Sequence, residues 1–140
     1  FDKRKYPKKV RDLYNYAGHL ERLLIKNCPG NKKAKELFDT WVAKISPRWA
    51  DPVTKYKERT TEFTEPFFDE KVYEIGKPGP LFVFMHEFMH LTDSNYAKSR
   101  ATSTGEYINA FTRGTSNDLP FEKDADQLVR DLMNGKCPCD

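Results

Sequence analysis

An α+β, mainly helical fold is what three features of the 140-residue sequence predict. Apolar residues recur at helical spacing in two segments near the start and in one near the end. One short segment has the composition of a strand, and a segment that is apolar on almost every side follows it directly. The length suits one domain with a sizeable core and is too short for two, so residues 1–140 read as a single domain. Within it, residues 1–50 read as a helical scaffold and residues 70–135 as the core that carries chemistry.

From about Lys8 to Asn27, the residues Val10, Leu13, Tyr14, Ala17, Leu20, Leu23 and Leu24 make one buried helical face, which "CPGN" ends. Asn31 is an N-cap for a second helix to about Ile45, with Ala34, Leu37, Phe38, Trp41, Val42 and Ile45 as its buried stripe. "SPRWADP" and the stretch to Pro66 read as loop, because Pro47, Pro52 and Pro66 break any longer element. The β-branched and aromatic residues of "EKVYEIG", 70–76, predict a short strand closed by the turn-forming "GKPGP". Pro80 fits a first helical position after Gly79. Leu81 to about Thr92 then has the all-round apolar character of a helix at the centre of a domain. "EYINAF", 106–111, makes one or two helical turns. A last helix begins near Pro120, turns Phe121, Ala125, Leu128, Leu132 and Met133 inward, and stops at Gly135.

The net charge of +3 conceals an asymmetry: residues 1–60 carry 16 Lys+Arg against 7 Asp+Glu, and residues 61–140 carry 8 against 14. The basic half is expected to form solvated helix faces that partly balance the acidic half within the fold. The other reading is a docking face for a protein assembly partner or another anionic surface. Nucleic acid is not an expected partner, since neither an aromatic-glycine RNA motif nor a DNA-reading helix is present. No stretch approaches the roughly 18 to 20 unbroken apolar residues of a membrane span, so the chain as given is expected to be soluble. It begins at Phe1 rather than Met, which is compatible with the removal of an upstream piece. Cys28, Cys137 and Cys139 cannot all pair within one chain, and none has C-x-x-C spacing. A disulfide from Cys28 to the tail fits an oxidising compartment, and reduced thiols fit equally well. The lean on location is secreted or virion-associated.

The stretch "FMHEFMHL", 84–91, contains two of the three histidines. On a helix, His86 and His90 project from one face a turn apart, and Glu87 stands beside them. Two neutral imidazoles suit Zn²⁺, with the glutamate placed to take a proton from an activated water rather than to bind the ion. The plainer alternative is a pair of hydrogen-bonded core histidines and a glutamate paired with a lysine. Two histidines and a carboxylate inside an apolar helix are costly, however, unless something neutralises and coordinates them. One Zn²⁺ ion is therefore the expected cofactor. A catalytic zinc needs three protein ligands and an open position. With Cys28 after the first helix, Cys137 and Cys139 in the tail, and His19 in the first helix, a carboxylate is the better third ligand.

"HEFMH" followed downstream by "PFEKDAD" resembles the gluzincin metallopeptidases, whose second helix carries E-x-x-x-D. The likeness is to the HtpX-type and ImmA/IrrE-type peptidases in particular, and it covers the chain from about residue 70 onward. It implies a minimal zincin-like fold with a short sheet beside the active-site helix. It further implies Glu122 as third zinc ligand and Asp126 as the hydrogen-bond partner of a zinc-bound histidine, His86. Glu122 and Asp126 are one helical turn apart, so both can face the active-site helix, and a carboxylate on the far imidazole N–H fixes tautomer and orientation. Other third ligands stay open. Asp93 lies three residues after His90 but on the same helix, and His19 is more remote. Asp124 is about 200° around the helix from Glu122. Asp118, Asp124 and Glu106 read as helix-end or surface charges.

The implied chemistry is hydrolysis of peptide bonds in a protein or peptide substrate, with Glu87 as general base. Tyr96, Tyr107, Arg113 and His19 are candidate donors to the developing oxyanion. The strand around Val72–Ile75 is placed to hold an extended substrate by edge pairing. The alternative function is a zincin-fold structural or interaction component of a larger assembly, such as a virion, with little turnover.

Overall fold

The apolar stripe at the start of the chain forms a helix. The computed structural model describes residues 7–139, and in it α1 spans Lys8–Asn27 and buries Leu13, Leu20 and Leu24. Tyr14, expected on that face, is 54% exposed. Asn31 caps α2 (Lys32–Thr40), its side chain accepting from the Ala34 amide at 3.0 Å. α2 stops short of the expected end at Ile45. Trp41 is already extended, which turns its indole into the core against Phe63, Phe84 and Phe88, at ring-centroid distances of 6.2, 4.9 and 5.3 Å. The chain continues as β1 (Val42–Ile45), where Val42 and Ile45 are exposed on a strand and not buried along a helix.

Two more strands lie in the stretch read as loop. β2 (Val53–Lys55) and β3 (Thr60–Phe63) complete a sheet of order β1-β3-β2, with β1 parallel and β2 antiparallel to β3. β3 alternates in burial, with Thr61 and Phe63 inward, and β2 turns only Thr54 inward, half-buried. The expected strand at 70–76 is absent. Glu70–Val72 instead forms one turn of 3₁₀ helix, started by Asp69, whose carboxylate accepts from the Lys71 amide at 3.0 Å. Val72 and Ile75 are exposed, so their β-branched side chains gain no burial that a strand would need.

The remaining elements are helical: α3 (Glu65–Phe68), α4 (Pro80–Met89), α5 (Asp93–Ala101), α6 (Thr104–Thr112) and α7 (Pro120–Met133). Gly79 and Pro80 begin α4 as their sequence predicts, and His90 caps its end. α5 is unannounced because "DSNYAKSRA" has no apolar face. α7 turns Phe121, Ala125, Val129 and Leu132 inward and leaves Met133 56% exposed. Gly135, at φ +92°, ends it. The centre of the core is α4 itself: Phe84, Met85, Phe88 and Met89 are at most 2% exposed. Around them α7, α1, α3 and β2 pack. Aromatic pairs such as Trp41–Phe84 and Phe63–Phe84 add about 0.5–1.5 kcal/mol each beyond burial. Among the described residues no helix is long and apolar enough to cross a membrane.

Ion pairs link the basic first half to the acidic second half: Lys9–Glu65, Lys33–Asp93 at 3.7 Å and Arg48–Glu62 at 2.6 Å. These are surface pairs and contribute little each. A disulfide joins Cys28, after α1, to Cys137, after α7, and Cys139 is buried beside it in the core cluster. The bond spans 109 residues of sequence, so it restricts the unfolded chain strongly. Replacing Cys28 and Cys137 by serine is expected to lower the unfolding free energy by about 2–5 kcal/mol, read from urea titrations of both proteins.

Candidate metal centre and active site

α4 directs its apolar side chains to the core and leaves His86, Glu87 and His90 facing α7 and β2. His86 Nε2 and His90 Nε2 stand 3.1 Å apart. Glu122 Oε1, from α7, is 3.3 Å from the first and 2.7 Å from the second. Three ligand-type atoms from two helices thus converge on one point. The far ring nitrogens are held as well: His86 Nδ1 is 2.6 Å from Asp126 Oδ1, and His90 Nδ1 is 2.7 Å from Asn95 Oδ1. Glu122 and Asp126 both reach α4 because they lie one turn apart on α7.

The chemistry of this donor set fits a divalent ion. Asp126 as a carboxylate only accepts, so His86 carries its proton on Nδ1. Asn95 Nδ2 donates to Phe121 O at 2.7 Å and to Asp124 Oδ2 at 3.0 Å. Its Oδ1 therefore faces His90 and accepts from Nδ1 there too. Both Nε2 lone pairs and a carboxylate oxygen then meet at distances that require a positive centre between them. Protons fill that role in a metal-free chain. Burial lowers the His86 pKa, but the Asp126 and Glu122 carboxylates outweigh it and bring it up to about 10. For His90, burial again lowers the pKa, and the Glu122 hydrogen bond together with the Glu87 and Glu122 charges raises it overall. Burial pushes the Glu122 carboxyl up, and the hydrogen bonds from both imidazoles bring it down to about 2. Ligands about 2.0–2.2 Å from a tetrahedral zinc lie about 3.3 Å from one another. Two of the separations, 3.1 and 3.3 Å, are close to that, and the third, 2.7 Å between His90 Nε2 and Glu122 Oε1, is a hydrogen-bond distance.

Glu87 stands beside the convergence point. Its Oε2 is 3.9 Å from His86 Nε2, while Oε1 accepts from Thr54 Oγ1, on β2, at 2.9 Å. Burial raises its pKa above the ordinary carboxyl value, against the opposing charges of His90 and His86 and the Thr54 hydrogen bond. A carboxyl shifted in that direction, close to the ligand atoms but not among them, suits a general base.

A cleft of about 230 Å³ opens on Glu87, His90 and Glu122. Tyr56 and Tyr96 stack on its wall, with centroids 3.7 Å apart and planes 6° apart. Tyr107 stacks on Phe121 and also lines the cleft. Burial, then the charges of Glu122 and Glu87, raise the Tyr107 pKa, so its hydroxyl keeps its proton. A larger groove of about 640 Å³ runs between α1 and α2, past Leu24, Ile25, Ala34 and Phe38. It holds none of the converging side chains, so the smaller cleft is the candidate site.

Of the four candidate oxyanion donors, Tyr96 and Tyr107 line this cleft, whereas Arg113 is exposed at the end of α6 and His19 is exposed on α1. Asp93 pairs with Tyr56 Oη at 2.5 Å and with Lys33, away from the imidazoles. Glu106 is the helix-end charge expected, its amide donating to Ser103 Oγ at 3.1 Å. Asp124 is not the surface or helix-end charge expected. It accepts from Asn95 and, at 2.6 Å, from Lys98, and so stands behind His90. Neither Asn95 nor Thr54 is singled out by the sequence. The available signal for Asn95 was a hydrogen-bonding side chain little more than a turn beyond His90. Asn95→Ala and Asp126→Ala are each expected to weaken zinc binding about 10–100-fold, measured by competition with a chromophoric chelator.

In comparisons with known proteins, no family, no curated protein and no solved structure matches the chain.

Proposed function

We propose that this protein is a zinc-dependent metallopeptidase of gluzincin type, with His86, His90 and Glu122 as metal ligands, Asp126 as the support of His86 and Glu87 as general base. The observation that carries this reading is the convergence of His86, His90 and Glu122 ligand atoms within 4.8 Å of one another. A zinc ion held there would supply a Lewis acid that polarises a carbonyl and brings the pKa of water down to about 7. Glu87 accepts the proton of the attacking water and returns it to the leaving amine. Tyr107, which keeps its proton beside the two carboxylates, is the favoured donor to the developing oxyanion, with Tyr96 next to it in rank.

An extended peptide suits the cleft better than a small amide does. β2 is an edge of the sheet, and Val53 and Thr54 of that strand line the cleft. Edge pairing with substrate therefore falls to β2, in place of the 72–75 segment.

The test uses the purified full chain. Elemental analysis should find one zinc per chain, and the zinc-loaded protein should cleave an unfolded protein such as casein. A strong chelator should abolish cleavage and added zinc should restore it. A chain that binds zinc stoichiometrically and cleaves nothing would support the structural-component reading. A chain that binds no zinc would end both.

A further inference from the structure

Glu87 is tied to the sheet by a series of hydrogen bonds whose direction can be assigned. Trp41 Nε1 is 2.8 Å from Thr61 Oγ1, Thr61 Oγ1 is 2.8 Å from Thr54 Oγ1, and Thr54 Oγ1 is 2.9 Å from Glu87 Oε1. An indole N–H only donates, each hydroxyl has one proton to give, and Glu87 in the ionised form that a general base needs only accepts. The protons therefore run one way, from Trp41 to Thr61, from Thr61 to Thr54, and from Thr54 to Glu87. The opposite order between the threonines would set two acceptors, Thr54 Oγ1 and Glu87 Oε1, against each other in a buried place. The other acceptor near Thr54 is the Glu87 carbonyl at 3.3 Å, which already receives the His90 amide at 3.2 Å.

Each member of the series is held by the fold. Thr54 and Thr61 are cross-strand partners of β2 and β3, and Thr61 is fully buried. The Trp41 ring packs among Phe63, Phe84 and Phe88. Threonine is stiff at χ1, so a fixed backbone fixes the hydroxyl. Resting on the peptidase reading above, we infer that Thr54, backed by Thr61 and Trp41, is a positioning residue that fixes the Glu87 carboxylate for proton transfer. Oε1 is held by the hydroxyl, which leaves Oε2 on the side of the imidazoles. A base displaced by about 1 Å can cost about 100-fold in rate.

The variants are Thr54→Val, which removes the hydroxyl and keeps a β-branched strand former, and Thr54→Ser, which keeps the hydroxyl. In the zinc-loaded full chain acting on a cleaved peptide, Thr54→Val should lower kcat about 10–100-fold with KM and zinc content unchanged. Thr54→Ser should stay within about threefold of the wild type, since it retains the hydroxyl that holds the carboxylate. Crystal structures of zinc-loaded wild type, Thr54→Val and Thr54→Ser supply a readout that needs no turnover. The carboxylate should be single and bonded to residue 54 in the wild type and the serine variant, and turned or split in the valine variant. A Thr54→Val protein with wild-type kcat, or with its Glu87 carboxylate in the wild-type place, overturns the inference. If the wild type cleaves nothing, the peptidase reading falls, and the crystal comparison still decides whether Thr54 holds Glu87.

Discussion

Glu87→Gln is expected to retain zinc at the wild-type level and to lose peptide hydrolysis by about 10²–10⁴-fold. Glutamine has the same length, and its carbonyl oxygen can accept from Thr54 as the carboxylate does. The side chain is not one of the three converging groups, its nearer contact being 3.9 Å from His86 Nε2, so no metal donor is lost. What is lost is basicity, because an amide cannot take the proton of the attacking water. Zinc content by elemental analysis and steady-state rates on one cleaved peptide check both halves of the expectation. Equal turnover by the two proteins would remove Glu87 from the reaction.

Glu122→Ala is expected to reduce zinc affinity by more than the roughly 10–100-fold that follows loss of an outer supporting group, and to abolish activity with it. Glu122 Oε1 is the sole anionic atom among the three that converge, and it lies within 3.3 Å of both imidazole nitrogens. Its removal leaves two lone pairs without the negative partner that a dication needs. Chelator competition on the variant and the wild type gives the affinity ratio. Undiminished affinity would mean that the third ligand is another residue.

The histidine pair is legible in the sequence because its logic is local: i and i+4 on a helix share a face whatever the rest of the chain does. The same holds for Glu122 and Asp126 as a pair, but that this pair meets His86 and His90 follows only from the packing of α7 on α4. The sheet is not legible. Its strands are three or four residues long, set between prolines, and β1 has both faces exposed, so no alternation marks it. Val72 and Ile75 carry strand composition without strand structure, since preference for a strand depends on neighbours that those residues lack. Trp41 shows the same competition: a helical stripe extends through it in sequence, and the aromatic core claims its ring instead. Asn95 escapes notice because a buried asparagine looks like any surface one until its partners are known.

The Cys28–Cys137 bond makes most of the chain a covalent ring. One backbone cut between those two residues opens the ring and releases no fragment. The exposed turn at 70–79, with Lys71 and Lys77 on its surface, is the kind of place where a protease nicks first. A nick there would put the sheet and Thr54 on one piece and His86, His90 and Glu122 on the other. The two pieces would remain tethered, so reassembly would be intramolecular and independent of dilution.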